Sequence, residues 1–165
     1  MKALNFLLVL VLLLTAHVHS YEDDIQHYKG YYYIIIKNKS PKLVNATVVE
    51  EIYKAGWDIV ATVNVDKTSN LKTFYKTHLI CQENYLSKGV RKFKEIGNLI
   101  PCRITVLVEG SKVKVMVEDV EEIAKVYGIK DKGFLTFLKK VQDELVSILI
   151  KTSSRLSPKT FKPMY

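Results

Sequence analysis

Two runs of alternating residues joined by a short turn do most to limit what this chain can fold into. In "CRITVLVEGSKVKVMVE" (Cys102 to Glu118), Ile104, Val106 and Val108 alternate going in, Glu109 to Ser111 turn, and Val113, Val115 and Val117 alternate coming back. Side chains on a strand repeat every second residue, so each run turns its apolar set to one face. The pattern reads as a β-hairpin with one side to be buried. A cover for that side follows in "FLTFLKKVQDELVSILIK". Phe134, Leu138, Val141, Leu145 and Ile148 keep three-and-four spacing, which predicts a helix packing this stripe on the sheet.

The remaining elements fit the same plan. "YYYIIIK" (Tyr31 to Lys37) is aromatic and β-branched and reads as a strand. In "SPKLVNATVVEEIYKAG", Ser40 can cap, Pro41 suits the first helical position, Val44, Val48, Ile52 and Ala55 share a face, and Gly56 ends the helix. "WDIVATVNV" alternates, with Trp57, Ile59, Ala61, Val63 and Val65 on one side, so a strand with one buried face is expected. Lys67 to Asn70 reads as a loop, and "YKTHLIC" as a strand ending at Cys81. A short amphipathic helix then turns Tyr85, Leu86, Val90, Phe93 and Ile96 inward, and Gly97 and Asn98 break it. Val120 to Tyr127 is a further short helix, closed by Gly128. Strand, helix, strand, strand, helix, hairpin, helix and long helix together define an α+β fold. Its sheet should be dominated by antiparallel pairs, with helices packed on one face.

The N-terminus reads as a signal rather than as part of that fold. Lys2 is a positive n-region, "LNFLLVLVLLL" an apolar h-region too short to span a bilayer comfortably, and "TAHVHS" a cleavage site ending at Ser20. An uncleaved anchor is the alternative. No cysteine lies near the site, which excludes a bacterial lipoprotein. The expected organisation is a signal peptide over 1–20, an N-terminal stub over 21–30, one domain over 31–151 and a basic mobile tail over 152–165. The expected location is periplasmic or secreted. The formal charge of +8 comes from scattered lysines and does not indicate nucleic acid. Contact of the tail with an anionic surface is the sharper use for it.

Chemistry rests on few residues. The chain has two cysteines, Cys81 in "HLICQEN" and Cys102 in "LIPCRIT". If one ends a strand and the other begins its neighbour, they would lie side by side, and in an exported chain the simplest outcome is a disulfide. Closing a loop of about 20 residues would stabilise the fold by ~3 kcal/mol. The alternative is thiol redox or soft-metal chemistry at the same pair. Cys81 at a helix N-terminus and Arg103 beside Cys102 would favour thiolates. His78 stands three residues before Cys81 and, given a bend in the strand, His78, Cys81 and Cys102 could hold copper or zinc. His27 falls in the stub and reads as a bystander. Asp58, Glu109, Glu118 and Asp119 are dispersed, and Glu50 with Glu51 reads as a solvated helix face. No hydrolytic dyad and no Gly-x-Ser-x-Gly signature occurs. Asn38-Lys39-Ser40 and Asn45-Ala46-Thr47 match the N-glycosylation pattern.

"YKAGW", the alternating strand after it, "LICQENY" and "LIPCRITVLVEGSKVKVMV" together resemble the bacterial and archaeal domain of unknown function 302 family. The family pattern has a cysteine opening its second helix in a Cys-Asn-Pro-like turn, matched here by Cys81, although this chain has "CQEN" there. A Leu-Pro-Cys-Arg run starts a hairpin, matched by Pro101, Cys102 and Arg103. The resemblance spans Tyr31 to Lys151 and implies a TATA-binding-protein-like α+β fold, often dimeric, with no established activity and no nucleic-acid binding. The expected function is therefore an exported small binding domain of unknown ligand, without a cofactor, with a small molecule and a second copy of the chain (a homodimer) as the candidate partners. Its cysteines would be bridged, with Pro101 and Arg103 supporting them.

Overall fold

The computed structural model describes residues 25–94 and 102–157. In chain order its elements are β1 (Gln26–Tyr28), β2 (Tyr31–Lys37), α1 (Pro41–Lys54), β3 (Asp58–Asn64), α2 (Val65–Thr68), β4 (Tyr75–Cys81), α3 (Glu83–Lys92), β5 (Cys102–Glu109), β6 (Lys112–Glu118), α4 (Val120–Val126) and α5 (Lys132–Leu156). The six strands form one sheet in the order β1-β2-β6-β5-β4-β3, and every neighbouring pair is antiparallel.

The β5–β6 hairpin is the centre of this sheet, as its alternation predicts. Glu109 faces Lys112 across a two-residue turn in which Gly110 takes φ +60°, a conformation that other residues rarely adopt. Ile104, Val106, Val113, Val115 and Val117 are buried, together with Ile34, Ile36 and Ile80 of the flanking strands. They pack beneath Val44, Val48 and Ile52 of α1 and Leu145, Ile148 and Leu149 of α5. The Ser40 hydroxyl accepts from Leu43 N at 3.2 Å and so caps α1. The Asp131 carboxylate accepts from Phe134 N at 2.6 Å and caps α5.

Four expectations change. β3 buries no continuous face, because it is an edge strand with a register shift between Ile59 and Ala61. Ile59 pairs with Ile80 and Ala61 with Leu79. These partners are consecutive and point to opposite faces, so the extra residue turns Ala61 and Val63 away from the helices. Val60 and Val63 end up exposed, and Val65 starts α2. Second, Val90 faces solvent on α3, where Gly89 is buried instead; Ile96 lies outside the described residues. Third, the stub holds a strand. β1 turns through Lys29 and Gly30, both at positive φ, and pairs with Tyr31 to Tyr33, so the start of β2 is covered by the chain's own N-terminal segment. Fourth, the region assigned to the tail begins helical. α5 continues to Leu156 and buries Thr152, Ser153 and Leu156. The small polar residues there hid the helical stripe.

Arg155, at the end of α5, explains a further difference. Its guanidinium reaches Glu51 Oε1 at 2.6 Å and Glu50 Oε2 at 2.7 Å. Glu51 is thus buried against α5 rather than solvated. Burial pushes its carboxyl up, but hydrogen bonds from Arg155 and Lys54 outweigh that and hold it below its ordinary value.

Candidate functional site

One end of the sheet gathers the chemistry. β4 ends at Cys81, β5 begins at Cys102, β6 ends at Glu118, and Trp57 stands just before β3. Because α3 and α4 leave from the same end, the strand termini and these helices wall a pocket that α5 closes from behind. Its lining is mainly apolar, including Ile80, Leu86, Ile123, Phe137, Leu138 and Val141. Trp57, Cys81, Gln82, Tyr85, Cys102 and Glu118 complete the lining. The cavity is open at its mouth and has a volume of about 40 Å³.

A carboxylate on α5 fixes the aromatic wall. Glu144 accepts from Trp57 Nε1 at 3.0 Å through one oxygen and from the Tyr85 hydroxyl through the other. The Trp57 and Tyr85 rings lie 5.7 Å apart, and Tyr85 meets Phe137 edge-on at 5.5 Å. Burial, reinforced by that hydrogen bond and the Glu144 charge, pushes the Tyr85 phenol up to about 12. It stays a neutral donor at any ordinary pH.

The two cysteines do not form the expected bridge; both are free thiols. Their strands are neighbours, but the register is wrong for a disulfide. Cys102 pairs with Ile80, and Cys81 is the next residue, so its side chain leaves the opposite face. Cys81 also precedes α3 rather than capping it, since Gln82 holds that position. Burial, and then the charge of Asp58, raise its thiol above the ordinary range. Burial raises Cys102 further, and Glu118 adds to it. Arg103 is exposed and pairs with Glu118 at 3.5 Å, which leaves it only a minor pull on Cys102. Pro101 lies outside the described residues. Neither thiol is poised as a thiolate nucleophile at neutral pH. Two free thiols per chain are therefore expected on titration. Cys102 should react with a thiol reagent only after unfolding, and Cys81 more slowly than a small free thiol at the same pH. Two fast-reacting sulfurs would contradict this picture.

His78, Cys81 and Cys102 are not assembled as a ligand set. His78 is buried, its Nε2 lies 2.9 Å from Asn45 Oδ1, and its Nδ1 lies 2.9 Å from the Thr62 hydroxyl. Both ring nitrogens are thus engaged. Burial, with Lys76 nearby, lowers its pKa and keeps the ring neutral, so Nε2–H donates to Asn45 and Nδ1 accepts from Thr62. The same contact occupies the side chain of Asn45, whose glycosylation would break it.

The residue that sequence reasoning passed over is Glu118. Burial pushes its carboxyl up to about 7, against the pull of Arg103, whose backbone N donates to Glu118 Oε1 at 3.2 Å. A carboxyl that changes charge near neutrality, at the wall of an apolar pocket, can donate or accept a hydrogen bond there. The signal was available. A two-residue turn between Glu109 and Lys112 places Arg103 opposite Glu118 when the pairing is counted back.

Six antiparallel strands with helices against one face define an α+β domain of open-sheet type. Residues 35–152 match the family model described as Domain of unknown function DUF302, and the chain belongs to that family. The fold is similar to a crystal structure of an uncharacterized conserved DUF302 protein from Bacillus stearothermophilus, with a TM-score of 0.69 and 12% identity. The match covers 76% of this chain and 99% of that one. No curated protein matches the chain.

Proposed function

We propose that this domain binds a small, mainly apolar molecule in the pocket at the end of its sheet, and that it acts by binding rather than by catalysis. The observation that carries this reading is the pocket itself: a mainly apolar chamber whose lining includes the Glu118 carboxyl. Apolar walls supply affinity through burial, and a few polar groups orient the ligand. The aromatic wall held by Glu144 suits a ring or a short acyl chain. The raised thiols favour this reading over thiol redox chemistry, because exchange needs an attacking thiolate. We place the protein outside the cytoplasm, on the strength of its N-terminal pattern, and its residues 1–24 lie outside the described ones.

Trp57 is the chain's only tryptophan and lines the pocket, so its emission reports occupancy directly. The uncharged probe N-phenyl-1-naphthylamine should bind saturably, one per chain, and take energy from Trp57. Ile123→Phe and Leu86→Phe each add bulk at a partly exposed lining residue and should weaken the probe by tenfold or more. A probe that binds both variants as tightly as the parent chain would show that this pocket is not the site.

A further inference from the structure

A second cluster, of residues that do not line that pocket, lies where the N-terminal strand meets α4. His27 Nε2 of β1 lies 2.9 Å from Asp119 Oδ2 and 4.0 Å from Glu122 Oε2. The three ligand atoms are all within 4.8 Å of one another. We propose that His27, Asp119 and Glu122 form a binding site for a divalent transition cation, with Zn2+ the best chemical match.

The donor set carries the choice of ion. One imidazole nitrogen and two carboxylate oxygens suit zinc and its neighbours in the first transition row, whereas calcium and magnesium prefer oxygen alone. Donors held about 2.0–2.1 Å from a tetrahedral zinc lie roughly 3.3–3.4 Å from one another. The two measured separations from His27 straddle that distance, so small rotations of two half-exposed side chains would complete the geometry. Three protein ligands leave the fourth position open to water or to a bound molecule.

Charge and placement agree. Asp119 is 6% exposed, and among the described residues no lysine or arginine lies within 4.0 Å of it or of Glu122; His27 is their one basic partner. In a chain with a formal charge of +8, this corner holds two carboxylates, whose charge a dication matches. Asp119 keeps its other oxygen on Glu122 N at 2.8 Å, which fixes the ligating oxygen in place. Gly30 O accepts from Asp119 N at 2.8 Å. A side chain at position 30 would come within 3.3 Å of Glu122 Oε2, so glycine there leaves the Glu122 carboxylate its room. The ion would pin β1, which pairs over only three residues, to α4, joining ligands 92 residues apart in sequence.

The test uses the chain purified from its expressing cells and stripped with a chelator. Zn2+ alone is titrated calorimetrically, and Co2+ is titrated in parallel by absorption. One site per chain is expected. Binding should weaken at least tenfold in His27→Gln and in Glu122→Gln, both at side chains about half exposed, whose replacement leaves the Asp119 cap intact. A Cys81→Ser/Cys102→Ser variant should bind as the parent does, and the Co2+ complex should lack sulfur-to-metal charge transfer. Zinc should also slow proteolysis within residues 25–30. Three results would overturn the proposal: no saturable site, full affinity in both His27→Gln and Glu122→Gln, or loss of binding in the cysteine variant.

Discussion

Replacing Ile148 with alanine is expected to lower the unfolding free energy by about 2–5 kcal/mol and the unfolding temperature by roughly 10 °C. Ile148 is fully buried on α5, within the cluster shared by α1 and the central strands. Truncation removes the transfer energy of three carbons and leaves a cavity that the sheet beneath cannot collapse to fill, since its strands are held by ladders on both sides. Urea unfolding of the parent and variant would measure the loss directly. Lys139→Ala, on the exposed face of the same helix, should change stability by less than about 0.5 kcal/mol. A loss at Ile148 no larger than at Lys139 would mean that α5 does not pack on the sheet as described.

Glu118→Gln is expected to stabilise the protein at pH 8 and to leave it unchanged at pH 4. The sign follows from proton uptake. The carboxyl is held up to about 7 in the folded chain against an ordinary value of 4.5, so between those values the folded state binds more protons than the unfolded one. Stability from this group is complete below about 4.5 and is lost as pH rises through 7. The shift corresponds to about 3 kcal/mol. Glutamine stays neutral and keeps an acceptor for Arg103 N, so it should escape this loss. The difference between variant and parent in urea should therefore grow from near zero at pH 4 towards that figure at pH 8. A difference constant across this range would place Glu118 in solvent. His78 tilts the parent curve the other way. Its lowered value means that its contribution is complete above about 6.5 and is lost as pH falls, but it is common to parent and variant and cancels in the comparison.

Glu118 also marks a limit in how the site could be read. The register of a two-residue hairpin places it against Arg103, and that much is arithmetic on the sequence. Its burial depends on α4 and α5 closing over the strand ends, which no local pattern states. The cysteines show the same division. Both were expected at strand ends at one end of the sheet, and both are there. Whether they bridge turned on a one-residue offset between β4 and β5, because a shift of one exchanges the faces.

His27, Glu51 and Glu144 were illegible for a related reason. Each is a polar residue with nothing unusual around it in sequence, and each gains its meaning from a partner 87 or more residues away. Alternation and helical spacing, by contrast, are local records of which side of an element is to be dry. They were enough to determine the central hairpin, the stripe of α5, the capped α1 and the α+β arrangement that must bury them together. Only the tertiary structure decided the bulge that turns β3 outward, the strand formed by the stub, the free thiols, and the meeting of His27 with Asp119. A periodic pattern specifies the face that an element presents, but the identity of its neighbour is set by the packing of the whole sheet.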